Sequence, residues 1–284
     1  TSIGYSTYHM KDLNDILGSL ILDDLARYAP LEQDGELVER AIAIDRTNRR
    51  VELAGGRAVG YDHLVMATGA HNRALPVPGA ELDGVFGLKT LADADAIAER
   101  LESAENVVVV GAGFIGLEFA QMFAHFGTVV TVLVAKGHRV LRREEPEIVN
   151  EIVRSLEDEG IQFLADVTVE KVENRNGGKA VTIRSDDGLE ELIAEELLLA
   201  AGISANTETL NLDKAGVKTD SNGFIQVDQY YQTDNPNIFA AGDCVGKMAL
   251  ETVAAKEGSQ AAENALTVPV RTINYDHIPH AVFT

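Results

Sequence analysis

The run Asn106-Val107-Val108-Val109-Val110-Gly111-Ala112-Gly113-Phe114-Ile115-Gly116-Leu117-Glu118 decides the fold. Its first five residues read as a continuous apolar strand, buried on both faces. Gly111-Ala112-Gly113-Phe114-Ile115-Gly116 then forms a G-x-G-x-x-G turn between that strand and a helix expected from Leu117 to Phe126, with Gly127 as its C-terminal cap. In that context Gly111 permits a tight turn, Gly113 lets the main chain approach a diphosphate, and Gly116 lets helix and strand pack closely. The helix start offers unpaired N–H groups and the positive end of its dipole to phosphate oxygens.

Downstream, Val129 to Val134 reads as the next strand. Pro146 opens a helix whose Ile148, Val149, Ile152, Val153 and Leu156 share one face until Gly160. The βαβαβ series is that of a parallel, doubly wound sheet. Val167 to Ile193 alternates like an antiparallel meander, with turns at Asn176-Gly177-Gly178 and Asp186-Asp187-Gly188, and Leu197 to Ala201 is a further apolar strand ending at Gly202. Upstream, the periodicity predicts helices in Met10 to Tyr28 and Ala92 to Leu101. Strands are expected at Ala41 to Asp45, Arg50 to Leu53 and Tyr61 to Ala67, and Pro76, Pro78 and Gly79 predict an extended linker. Strands at Phe224 to Val227 and Ile238 to Ala241 and a helix over Val253 to Leu266 complete the pattern.

The 284 residues, 45% of them apolar, suffice for two domains with their own cores. With 24 Lys and Arg against 45 Asp and Glu, the net charge of −21 argues against nucleic acid or an anionic membrane surface as a partner. The single cysteine, Cys244, excludes an internal disulfide and a thiolate metal site, and fits a reducing, cytoplasmic setting. The sequence offers no transmembrane run and no secretory signal pattern.

The strand Val130-Thr131-Val132-Leu133-Val134-Ala135 has no carboxylate at its end to accept from a ribose. Lys136, His138, Arg139, Arg142 and Arg143 follow instead. This cluster favours NADPH over NADH, with Lys136 and Arg142 as the phosphate contacts; the alternative is a solvated basic turn balanced by Glu144, Glu145 and Glu147.

Four segments together resemble the pyridine nucleotide-disulfide oxidoreductase superfamily of flavoproteins. They are Met66-Ala67-Thr68-Gly69-Ala70, Gly111 to Glu118, Leu199-Ala200-Ala201-Gly202, and Thr233 through Ile238-Phe239-Ala240-Ala241-Gly242-Asp243. The resemblance implies an α/β fold of two doubly wound dinucleotide-binding domains. Residues 1–86 and 207–284 would form a discontinuous FAD-binding domain, and 87–206 an inserted NAD(P)H-binding domain. It implies Asp243, beside Gly242, as the acceptor for the ribityl chain of FAD and Ala67, Thr68 and Gly69 as a crossover near the flavin. Glu118 would then lie near the nicotinamide, and Thr252 and Val253 at the start of a helix facing the flavin. Cys244 is expected to pack beside Asp243 without a redox role.

The sequence also departs from the family. Thr1 to Ala29 has neither the family's first glycine turn, which binds the FAD diphosphate, nor a redox cysteine pair, and Ile273 to Thr284 resembles the start of the dimerisation domain, so both ends look cut. Val51 to Asp95 resembles ferredoxin, rubredoxin and nitrite reductase flavoproteins, whereas Val129 to Thr284 resembles mercuric reductase and dihydrolipoamide dehydrogenase. Around Asn206 the usual Arg or Val and Pro are missing. The expected activity is hydride transfer from a nicotinamide to FAD and onward to a small-molecule or protein acceptor, in a homodimer if the dimerisation domain is present. The alternative is a nucleotide-binding module or redox sensor without stable FAD. No catalytic acid or base and no metal site is identifiable.

Overall fold

The computed structural model describes residues 40–284 apart from 102, 176 and 280, together with the backbone pairs Glu32–Gln33 and Glu36–Leu37. The helices expected between Met10 and Tyr28 lie outside the described residues. At the centre is a seven-stranded sheet. Its strand order is Gly188–Ala194, Gly178–Ser185, Gln162–Arg175, Val129–Ala135, Asn106–Val110, Glu196–Leu199, Val85–Phe86. From Val85–Phe86 to the start of Gln162–Arg175 every pairing is parallel; the last three strands pair antiparallel as the expected meander. Gln162–Arg175 belongs to both regimes. Its first residues lie parallel to Thr131–Ala135, and from Thr168 it lies antiparallel to Gly178–Arg184.

The unbroken valine run is explained by its two neighbours. Val107 and Val109 point to one face, where they meet Ile97 of α1 (Leu91–Leu101), Leu117, Ala120 and Phe123 of α2 (Phe114–His125), and Val149 and Leu156 of α3 (Pro146–Asp158). Val108 and Val110 point to the other, where Val167, Val169, Val172, Val181 and Ile183 of the curled meander cover them. Helices therefore cover one face of this sheet and strands the other. Val109 and Leu117 are fully buried, each such side chain contributing about 1.5–3 kcal/mol.

A second core gathers residues from both ends of the described chain. The parallel pair Leu64–Met66 and Ile238–Ala240 packs with Ile44, Leu210, Leu212, Val217, Ile225 and Cys244. Around it stand the three-stranded sheet Ala41–Asp45, Arg50–Leu53, Ala58–Gly60, the short α4 (Leu212–Ala215) and the long α5 (Glu251–Leu266). The chain crosses between the two cores twice, and the crossings pair: Ala70–Asn72 lies antiparallel to Ile203–Ala205. Among the described residues no helix is long and apolar enough to cross a membrane.

Three expectations change. The stretch Pro76–Gly79 is not a free linker, because Leu75, Val77 and Leu82 pack on the meander side of the sheet and Val172 donates its amide to the Pro78 carbonyl. Val85–Phe86, on the amino side of the boundary expected at 87, is an edge strand of the same sheet. Phe224 to Val227 forms a single bridge, Thr219 to Ile225, in place of a strand, since Asp220 captures the Asn222 and Phe224 amides and Ile225 donates to the Cys244 carbonyl.

Candidate functional site

α2 begins at Phe114, three residues earlier than the sequence suggests. Gly113 is its N-cap and makes no side-chain cap hydrogen bond, so no side chain at that position competes with a ligand for the helix start. The three glycines of the turn answer to different demands. A Cβ on Gly111, at φ +114°, would lie 2.4 Å from the Ala200 carbonyl oxygen, and one on Gly116 would lie 2.0 Å from the Gly111 carbonyl oxygen. The fold itself needs both. A Cβ on Gly113 would meet nothing within 4 Å. No packing neighbour demands that glycine, and its bare backbone faces open space.

The open space is a groove of about 630 Å³ along the C-terminal ends of the parallel strands, bounded by Gly111, Gly113, Ala135, Arg142, Ala200 and Gly202. Lys136, His138 and Arg139 also line it, so the basic loop and the glycine turn share one site. Their states differ. Lys136 donates to Asp186 at 2.6 Å, and that carboxylate raises the lysine pKa while its own is lowered. Arg139 is spent on the carbonyls of Arg142 and Glu144. Among the described residues the Arg142 guanidinium has no partner, and it faces the groove.

A second concavity of about 450 Å³ lies against Ala67, Gly69, Lys89, Gly242, Asp243 and Gly258. Asp243 sits in the turn Gly242–Cys244 directly after strand Ile238–Ala240. Its Oδ2 accepts from Lys89 Nζ at 2.8 Å, while its Oδ1 has no partner among the described residues. Thr68 and Gly69 are fastened to the second crossing: Asn206 Nδ2 donates to the Thr68 carbonyl, its amide donates to the Gly69 carbonyl, and its Oδ1 meets His71 Nδ1 at 2.8 Å. Cys244 is fully buried beside this turn. Its thiol donates to the Ala241 and Met66 carbonyls, and burial raises its pKa.

Between the two concavities runs a third, about 530 Å³, lined by Arg73, Gly113, Arg142, Gly202, Lys247 and Ala249 among others. It shares Gly113 and Gly202 with the first and Ala249 with the second. Through those shared residues the three adjoin in a line from the glycine turn to Asp243, together forming a trough.

Not every expected residue faces it. The Glu118 carboxylate accepts from the Phe283 amide at 3.1 Å and lines none of the three concavities. Phe114 lines the trough and Ile115, at 42% exposure, does not. Thr252 is exposed and Val253 buried in the protein interior; the face of α5 that borders the trough is Glu251, Ala254 and Gly258. Sequence reasoning missed that face, along with Lys89, Arg73 and Lys247. Ala254 and Gly258, two small residues one helical turn apart, were the available signal.

The sequence model for the pyridine nucleotide-disulphide oxidoreductase family matches residues 14–258. A mercuric reductase of Staphylococcus aureus is 37% identical over 232 residues, covering 81% of this chain and 41% of that protein. A ferredoxin reductase structure from Rhodopseudomonas palustris aligns with a TM-score of 0.74 at 32% identity, covering 84% of this chain and 60% of that one. A water-forming NADH oxidase from Lactobacillus brevis, solved with NADH, aligns with a TM-score of 0.72 at 28% identity, covering 82% and 54%. The chain spans about two-fifths of the mercuric reductase it matches.

Proposed function

The chain belongs to the pyridine nucleotide-disulphide oxidoreductase family, and from that premise we propose that it is an FAD-dependent oxidoreductase fed by NADPH or NADH. The observation that carries the reading is the adjacency of the concavities: the open backbone at Gly113 and the Asp243 carboxylate line two concavities, and a third between them shares residues with both. The division that follows is an NAD(P)H-binding part over 87–206, with 75–86 packed against it, and an FAD-binding part from 1–86 and 207–284.

The residues fit the two groups. The uncapped start of α2 and the bare Gly113 suit a diphosphate, and Arg142 suits a 2′-phosphate as a planar donor without a competing partner. Asp243 Oδ1 suits a sugar hydroxyl, and Ala254 and Gly258 leave room for a flat ring system along α5. When bound, nicotinamide and flavin would supply the redox chemistry, that of hydride transfer. The chain's own work is positional. The crossings tied by Asn206 hold the two halves in register, and Ile203, Phe224, Met248 and Leu250 give the middle concavity an apolar lining that suits stacked rings. The electron acceptor is a small molecule or a protein.

A visible spectrum of the purified protein tests this. Flavin absorption that bleaches anaerobically on adding NADPH or NADH is expected. A colourless protein that rejects added FAD yet binds NADPH would replace this reading with a nucleotide-binding module.

A further inference from the structure

Behind the Asp243 turn lies a polar network that none of the contacts described above requires. Glu257, on α5, is 1% exposed. Its Oε2 accepts from the Gly242 amide at 2.7 Å and its Oε1 accepts from the Tyr275 hydroxyl at 2.5 Å. Tyr275 comes from the turn Tyr275–His277, which Asn274 pins by accepting from the Asp276 amide. The Tyr275 hydroxyl also meets the Tyr231 hydroxyl at 3.2 Å, and Lys247 Nζ sits 5.1 Å and 5.4 Å from the two ring centroids. The Lys247 carbonyl in turn accepts from Arg143, in the basic loop of the nucleotide groove.

A carboxylate buried this deeply needs both oxygens satisfied, or it costs several kcal/mol that a surface glutamate would not. Here one oxygen is satisfied by the amide that begins the Asp243 turn and the other by a hydroxyl whose proton is secured by burial and by the carboxylate itself. We infer that Tyr275 is a positioning residue: through Glu257 it fixes the Gly242 amide, and with it the direction in which Asp243 presents its free oxygen to a ligand in the trough. This inference rests on the flavin reading of that trough. A turn held by charge-assisted hydrogen bonds presents its carboxylate with less ordering left to do on binding.

The test compares wild type with Tyr275→Phe, which removes one hydroxyl and keeps the ring under Lys247. Amide exchange at Gly242, FAD affinity by fluorescence titration and NADPH affinity by calorimetry are measured on the full chain. Exchange at Gly242 is expected to rise about fivefold or more and the FAD dissociation constant by about five- to tenfold, with NADPH affinity changed by less than about twofold. Glu257→Gln retains an acceptor for the Gly242 amide and should stay nearer wild type in exchange than Glu257→Ala. Unchanged exchange in Tyr275→Phe overturns the clamp, and faster exchange with unchanged FAD affinity overturns its positioning role. If wild type takes up no FAD while exchange still quickens, the clamp stands and the flavin reading falls.

Discussion

Lys89 Nζ donates to Asp243 Oδ2 at 2.8 Å, joining the segment before α1 to the turn after Ile238–Ala240 across 154 positions of sequence. The pair is only partly exposed, at 39% and 22%. It engages one oxygen of a carboxylate that lines the trough and leaves the other without a partner among the described residues. Its direct contribution to stability is about 1 kcal/mol or less, so its weight falls on the ligand. Asp243→Ala should weaken FAD by about 1.5–3 kcal/mol, the range for a hydrogen bond to a charged group, while thermal unfolding without FAD shifts little. Fluorescence titration alongside calorimetric melts checks both halves of this expectation. Equal FAD affinity in the variant would remove Asp243 from the site.

The glycine turn separates fold from ligand in a single comparison. Gly116→Ala places a methyl group against the Gly111 carbonyl oxygen, a backbone atom that cannot swing aside, and should cost about 2–4 kcal/mol of stability. Gly113→Ala meets open space and should cost about 1 kcal/mol or less, yet weaken NADPH and NADH alike. Urea unfolding and coenzyme titration on the two variants read the contrast. A Gly113→Ala protein that binds both coenzymes as wild type does would clear the trough of a diphosphate there.

What the sequence disclosed and what it withheld have a common cause. The valine run, the glycine turn and the meander rest on periods of two and on residues a few positions apart, and those patterns survive in the structure with boundaries shifted by a few residues. Lys89 meeting Asp243, Glu257 meeting Gly242 and Glu118 meeting Phe283 depend on how distant segments come together, and no local pattern encodes that. Phe224–Val227 had strand composition, but Asp220 captured the Phe224 amide and Ile225 donated to the Cys244 carbonyl. Val253 fell within the expected helix, yet its side chain turned inward while Ala254 and Gly258 turned to the trough.

The basic loop makes a graded prediction. Among the described residues the Arg142 guanidinium has no partner, whereas Lys136 is engaged by Asp186, both members of that pair being highly exposed. Arg142→Ala should therefore weaken NADPH by about 1–3 kcal/mol and leave NADH almost unchanged, whereas Lys136→Ala should have the smaller effect. Asp186→Asn, which releases Lys136, should strengthen NADPH. Calorimetry with both coenzymes at fixed ionic strength decides it, because the contribution is screened by salt. Equal losses for NADPH and NADH in Arg142→Ala would assign the arginine to the shared diphosphate.

Cys244 gives a pH dependence whose sign follows from its surroundings. The thiol is fully buried and donates to two carbonyls, and burial raises its pKa above the ordinary 9.0. The folded state therefore favours the protonated form more than the unfolded state does. That preference stabilises the fold fully below pH 9, and it is lost as pH rises through the higher folded value. Wild type should lose stability more steeply than Cys244→Ala between pH 9 and the onset of alkaline unfolding, with the two curves parallel near neutrality. Urea melts across that range measure the difference, since the tyrosines that also titrate there are common to both proteins. The same burial predicts that a thiol reagent at neutral pH labels Cys244 slowly in native protein and rapidly in urea. Rapid labelling of the folded chain would mean that the turn carrying Asp243 opens readily, and Asp243 would then lose the fixed direction that makes it a ligand-binding carboxylate.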